Sequence, residues 1–498
     1  MPDSKAIYSR AVNSIKWVGL SIILPRLLTP LVTVILGKML NPDDFGIVGI
    51  ALALNTFADI VVGYNWGMAV IRSENNVNEV ANLSFVLMTG LSVMLYGAFW
   101  ILSPSIATGY DNPILITIIR LVSLSLIISA LSAVPKALME REFRYKQLFA
   151  VRTGSNIVAN VIVLIWVLLA PSIWVIVAQP ILIAVIQFIT SYRLTKWRPR
   201  FYWNISLAKE ILTFNSFIVV SSFVSWLLIY GDNLFAGALL GTTQLGVYIL
   251  GWNLAMVIPS AIASGMAQLA YTTFSRFQNE PQQIGKQLLQ LHRLGSIALF
   301  PISAGIAVIA QPFSELVYGN KWLELPEVLM LLSILNLFLH LWNINDRAFR
   351  AIGKPQVGLI GPITMILYGA PLLLSFGQDS VIQYSFIRVL ITLPFPFIVM
   401  SVSARYLDTT ILAQIKAVAI PGIVTTIMFV VGYALVEQLG PYEVATDWLK
   451  VLFIVFLCTL LYFTALFVLQ RKLSLQLLAM LSESLNLKPT VTERSLAE

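Results

Sequence analysis

Long apolar runs alternate along the chain with short clusters of Pro, Gly, Asn and charged residues. The runs are about 20 residues long, the length of a helix that crosses a bilayer. Punctuating the chain at those clusters predicts fourteen spanning helices, over 15–37, 45–70, 80–102, 113–135, 150–169, 172–192, 210–236, 245–274, 289–310, 326–345, 356–376, 380–401, 412–436 and 447–470. The N-terminal stretch MPDSKAIYSRAVNSIKW mixes charges and Asn with apolar residues and has no small-residue cleavage site, so residues 1–14 read as an uncleaved amphipathic lead-in.

The loops between these helices differ sharply in charge. Of the 32 Lys and Arg, 26 fall on one set of loops or the span ends beside them, only Lys38, Lys321 and Lys450 fall at the other, and three arginines lie deeper within spans. Every loop alternates in register with the fourteen helices. The positive-inside rule then places the basic loops and both termini in the cytoplasm.

Composition agrees and removes other classes. Of the 498 residues, 58% are apolar or aromatic and 11% charged, with a mean hydropathy of +0.83. A soluble chain carries about 25% charged residues, so the expected fold class is an all-α polytopic membrane protein. One cysteine, Cys458, excludes disulfide frameworks and CxxC metal sites, and two histidines leave little for a metal centre. No GxxxxGK[ST] occurs, so there is no Walker A site, and no cofactor is expected. The net charge of +8 is spread over basic loops, which suits membrane lipid headgroups and calls for no nucleic acid. Trp66, Trp100, Trp197, Trp203, Trp322 and Trp448 fall near span ends, as an interfacial aromatic belt requires.

The chain also repeats itself. GKMLNPDDFGIVGI from Gly37 aligns with GALLGTTQLGVYIL from Gly237, placing Gly37, Leu40 and Gly46 on Gly237, Leu240 and Gly246. Arg141-Glu142-Phe143-Arg144 after helix 4 pairs with Arg347-Ala348-Phe349-Arg350 after helix 10. Six spans separate the copies, an even number, so the halves share one orientation and are related by an axis along the membrane normal. This predicts a six-helix lobe over 15–192, a basic linker over 193–209, a second six-helix lobe over 210–401, helices 13 and 14 within 402–470, and a cytoplasmic tail over 471–498. A cleft should lie between the lobes, with helices 1 and 8 flanking one gap and helices 2 and 7 the other.

The segments LNPDDFGIVGIALALN, WGMAVIRSENNVNEV, SAVPKALMEREFRYKQL, YGDNLFAGALLG with LGVYILGWNL, and VYGNKWLELPEVLMLLSI resemble the polysaccharide-transporter branch of the multidrug/oligosaccharidyl-lipid/polysaccharide flippase superfamily. The likeness is to Wzx-type, WzxC-like lipopolysaccharide, O-antigen and exopolysaccharide flippases, over about helices 1 to 12. It implies two six-helix lobes around a central cavity and movement of undecaprenyl-diphosphate-linked oligosaccharide from the inner to the outer leaflet of the bacterial inner membrane. It implies no enzyme activity. A polysaccharide polymerase and chain-length machinery become candidate partners beside the lipid-linked oligosaccharide itself.

Ionisable residues inside spans are costly and so are functional candidates. Arg26 on helix 1 lies about 16 Å from the predicted cytoplasmic end, and Asp59 on helix 2 lies at similar depth. The two either neutralise one another, or Arg26 faces the cleft and holds a diphosphate with its planar donor fork. Arg120 and Arg388 sit about 10–12 Å inside the outer face, either snorkelling to headgroups or lining an upper cavity. Asp232 is either a solvated or capping residue or a site for a coupling proton or sodium ion. In lipid II flippase relatives arginines on helices 1, 2 and 8 line the cavity. Only Arg26 carries over here, because helix 2 has Asp59 and helix 8 offers Asn253 and Gln268.

Trp226 and Trp252 are candidate contacts for a glycan or prenyl chain. Asn156, Asn160, Gln179, Gln187, Asn336 and Asn343 either line a sugar path or bond between helices. His340 reads as a packing residue. Three other classes stay open: a MATE-like drug or cation exporter, which normally has twelve spans; a membrane glycosyltransferase or polymerase, which should carry a long outer loop where the longest here is PFSELVYGNKWLELP; and a scaffold of a polysaccharide assembly complex, which leaves the intramembrane arginines unexplained.

Overall fold

The computed structural model describes residues 17, 20, 24–25, 28–62, 67, 69–71, 76–277, 280–442 and 445–471. The lead-in, Arg26, Trp66 and nearly all of the C-terminal tail lie outside the described residues. Among the described residues the secondary structure is helical throughout, and twelve helices are long and apolar enough to cross a membrane. They are α2 (Pro42–Val62), α3 (Val77–Gly109), α4 (Ile114–Arg141), α5 (Tyr145–Leu169), α6 (Trp174–Leu194), α8 (Thr242–Arg276), α9 (Pro281–Val308), α10 (Leu325–Ala351), α11 (Ile360–Phe376), α12 (Val381–Tyr406), α13 (Ile411–Leu439) and α14 (Trp448–Leu469). The apolar α1 (Leu28–Met39) and the 36-residue α7 (Ile205–Leu240) bring the rods among the described residues to fourteen, one at each expected span.

The helices run past their apolar runs at the basic end, so residues read as loop belong to helices. α4 continues to Arg141, which puts Lys136 inside the bilayer-spanning rod, and Arg152 lies in a π-helical turn over Ala150–Gly154 within α5. Capping sets several starts: the side chains of Asn204, Ser380 and Thr410 accept from the backbone N–H of Leu207, Gln383 and Ala413. The expected long loop after α9 is largely helix, over Ala310–Tyr318, followed by a tight turn over Gly319–Trp322.

Within the first six helices α4 packs on α2, α3 and α6; within the next six α10 packs on α8, α9 and α12. α13 lies on α9 and α14 on α13, with the Tyr462 hydroxyl donating to the Ile297 carbonyl at 3.1 Å. The two lobes meet chiefly through α2, which packs along α8 and α7.

That meeting obeys a two-fold rule at an offset of 200 residues. A methyl at Gly46 would stand 1.7 Å from the Thr242 carbonyl oxygen, and a methyl at Gly246 would stand 1.7 Å from that of Pro42. Gly37 faces Leu250 as Gly237 faces Ile50. Residue i touching j while j's counterpart touches i's is the signature of a two-fold contact, and only glycine lets the helix backbones approach this closely.

The gap expected between helices 2 and 7 is filled. Trp226 is 6% exposed and its indole N–H donates to the Ala53 carbonyl at 3.1 Å, with the Phe57 ring against it.

Candidate functional site

Below the Gly46–Gly246 crossing the lobes separate around cavities, and above it they are closed. The closure uses polar contacts from both lobes. Asp43 accepts from the Thr242 and Thr243 hydroxyls. The Trp322 indole donates to the Gly37 carbonyl at 2.9 Å and the Tyr110 hydroxyl to the Leu234 carbonyl at 3.0 Å. Tyr110 follows α3 and Trp322 follows α9, so each lobe's third helix leads into a clasp on the other lobe. Trp322 is therefore buried at the seal, not an interfacial anchor. Burial there lowers the Lys321 ammonium from the ordinary lysine value, while Asp44 opposes that shift.

Three cavities lie on the side of the seal that faces the basic loops. In the first lobe a cavity of about 440 Å³ is walled by α2, α4, α5 and α6 and carries Asp59, Lys136, Glu140, Arg152, Asn156 and Gln187. Its charges are mutually opposed: Arg152 pairs with Glu140 at 3.1 Å, Lys136 donates to the Gln187 amide oxygen at 3.0 Å, and Asp59 accepts from Asn55 at 3.4 Å. In the second lobe a cavity of about 330 Å³ is lined by Trp252, Ser264, His340, Asn343, Arg347 and Arg388 among others. Between the lobes a cavity of about 300 Å³ is lined by uncharged groups, including Thr29 and Thr33 of α1, Gln179 of α6 and Asn253 and Ser260 of α8. This is the gap expected between helices 1 and 8.

The structure thus brings Asp59, Asn253, Trp252 and Arg388 to cavity walls, and Asp232 together with Arg388 to the wall of a further, smaller cavity of about 130 Å³. Asp232 is neither solvated nor a cap. It is 5% exposed, its carboxylate accepts from Arg388 Nε at 3.0 Å and from the Tyr248 hydroxyl at 2.7 Å, and its carbonyl takes the Tyr384 hydroxyl. Arg388, 6% exposed, does not snorkel, because this carboxylate holds it inside the lobe. Arg120 lines none of the three cavities: its guanidinium stacks 4.0 Å from the centre of the Trp100 ring and donates to Ser103, and Trp100 is 46% exposed on the lobe surface. Trp226 is consumed by the lobe contact described above. His340 meets Ser296 at 3.3 Å and packs edge-on against Phe300 at the cavity wall.

Lys136, Arg152 and Arg347 were missed as site residues because cations near span ends read as topology signals. Helical spacing carried a sign: Ser129, Ala133, Lys136 and Glu140 recur at four, three and four residues, the spacing of one helix face, and all four line the first cavity.

A twelve- to fourteen-helix body, closed at one end around cavities that carry polar and charged side chains, matches known proteins. Residues 35–327 match the family model described as polysaccharide biosynthesis protein. The chain belongs to this polysaccharide biosynthesis protein family. Among curated relatives it is similar to the teichuronic acid biosynthesis protein TuaB of Bacillus subtilis (strain 168), 21% identical over 432 residues, covering 86% of this chain and 89% of that one. It is similar also to the lipopolysaccharide biosynthesis protein WzxC of Escherichia coli (strain K12), 22% identical over 362 residues, covering 71% and 70%. Its fold matches the lipid II flippase MurJ in an inward closed conformation, with a TM-score of 0.74 at 13% identity, covering 91% of this chain and 99% of that one. The polysaccharide biosynthesis protein family member described here is therefore a multi-pass membrane protein that shares its fold with MurJ.

Proposed function

We propose that this protein carries undecaprenyl-diphosphate-linked oligosaccharide repeat units from the cytoplasmic to the outer leaflet of the bacterial inner membrane by alternating access, without catalysing a covalent step. The observation that carries the reading is the reciprocal seal at Gly46 and Gly246 above cavities in both lobes that carry charged and hydrogen-bonding side chains. A glycan cannot cross hydrocarbon unaided, since each uncompensated polar group costs several kcal/mol. The Asn, Gln, Ser and Thr walls of the cavity between the lobes offer hydroxyl-matching donors and acceptors.

We read the cavities, which face the basic loops, as cytoplasmic and the seal as outer; on that reading this conformation accepts cargo from within. Arg26 and Asp59, Asn253 and Trp252 are the residues we assign to cargo contact, and Asp59 is the candidate group for a coupling proton or sodium ion. A polymerase and chain-length machinery would take the product at the outer face. A scaffold gives no reason for charged side chains on a cavity wall in each lobe.

Deletion of the protein together with any parallel flippase tests the reading. Lipid-linked repeat units should accumulate in the inner leaflet, readable by a glycosidase admitted to one face of sealed vesicles. Unchanged arrival at the outer leaflet would overturn it.

A further inference from the structure

The repeated motif R-x-F-R ends differently in the two lobes. In the first lobe Arg141 donates to the carbonyls of Val70 and Ile71 at 3.1 and 2.8 Å, and Arg144 to that of Leu194 at 2.7 Å, so both tie helix ends together. In the second lobe Arg350 pairs with Asp346 at 2.8 Å. Arg347, the counterpart of Arg141, has its Nε buried without an acceptor and makes no hydrogen bond or ion pair with any described residue. It lines the 330 Å³ cavity of the second lobe, four residues from the end of α10.

The surroundings of Arg347 leave its charge uncancelled. Among the described residues that line this cavity there is no carboxylate; Arg388 is held by Asp232, and His340 by Ser296 and the Leu337 carbonyl. The first-lobe cavity is the opposite case, since Glu140 and Asp59 face Arg152 and Lys136. A guanidinium within a spanning helix is costly unless something pairs with it, and its planar fork matches phosphate oxygens two at a time.

We propose that Arg347 is the anion-binding group of the second-lobe cavity and takes the diphosphate of a prenyl-linked saccharide, with Asn343 and Ser264 of the same wall as neutral hydrogen-bond partners. The proposal rests on the transport reading and gives it a headgroup site. A single unpaired arginine also suits a carrier, which must hold its cargo firmly enough to load and weakly enough to release.

The test uses the full chain in phosphatidylcholine nanodiscs with farnesyl diphosphate as probe and the fluorescence of Trp252 and Trp342, both in the cavity wall, as signal. Arg347→Gln should weaken binding roughly tenfold or more, the scale of one or two charge-assisted hydrogen bonds. Arg347→Lys, which keeps charge without the fork, should lose less, and Lys136→Gln less than about twofold, because Lys136 is already engaged by Gln187. Farnesol should bind all four proteins alike. Thermal midpoints of the ligand-free variants check folding, and Arg347→Lys serves as the folded variant should Arg347→Gln fail.

Wild-type affinity in a folded Arg347→Gln, or in a folded Arg347→Lys where that variant has to stand in, overturns the site, as does a larger loss in Lys136→Gln. Replacing a third of the lipid by phosphatidylglycerol should shift wild type and Arg347→Gln equally through surface charge. Competition in the wild type alone would make a bulk lipid headgroup the occupant and overturn the proposal. A protein that binds the probe through Arg347 yet moves no saccharide lipid keeps the site and loses the transport reading.

Discussion

Gly46 and Gly246 each occupy the space that the other's side chain would need, with a backbone carbonyl of the opposite helix 1.7 Å from either missing methyl. The pair follows the two-fold relation between the lobes, which must separate there if the cavity opens outward. Gly46→Ala and Gly246→Ala should each force the helices apart and favour the outward-open form. In a Cys458→Ser background, a cysteine at Ala263 should then react with an impermeant maleimide from outside several-fold faster than in the parent. Unchanged labelling would show that the crossing is not the gate.

The polar clasp gives a second, opposite handle. Asp43 and Thr243 meet across the lobes, so Asp43→Cys with Thr243→Cys should form a disulfide on oxidation that locks the seal. Transport should stop on oxidation and return on reduction. Full transport in the oxidised, quantitatively crosslinked protein would rule out opening at this point.

The Asp232–Arg388 pair is expected to hold the second lobe together. Asp232→Asn leaves a buried guanidinium without its counter-charge, a change that costs about 3–5 kcal/mol in buried pairs. Thermal midpoints in detergent should fall markedly for Asp232→Asn and recover in part in Asp232→Asn with Arg388→Met. A double variant no better than the single one would mean that the two side chains do not act as a pair.

Topology is checked at the C-terminal end. Lys450 stands at the start of α14 and Lys472 just past its end, so a reporter fused after Lys450 should read as outside and one after Lys472 as inside. Both on one side would remove α14 as a span.

Most of the fold was readable from the chain because bilayer thickness dictates helix length. The offset of 200 was visible at Gly46 and Gly246, although nothing in the strings showed that the copies touch each other. The site was less readable. Asp232 and Arg388 are 156 residues apart, and pairing between distant helices leaves no local pattern. Lys136 and Arg347 were hidden for another reason: a cation in the last turns of a span looks the same whether it faces headgroups or a cavity, and only the neighbouring helices decide which. Trp226 and Trp322 show the same ambiguity for aromatic residues, whose N–H groups found carbonyls across the lobe boundary.

The central claim is movement of a saccharide lipid between leaflets through the cavity beneath the seal. The direct measurement is reconstitution of the purified protein in sealed proteoliposomes with a radiolabelled undecaprenyl-diphosphate oligosaccharide, followed by an externally added glycosidase that reads only the exposed leaflet. The account expects the protected fraction to become accessible in vesicles with wild-type protein, and to stay protected in protein-free vesicles and in those carrying the oxidised Asp43→Cys/Thr243→Cys variant. Equal accessibility in all three would contradict it.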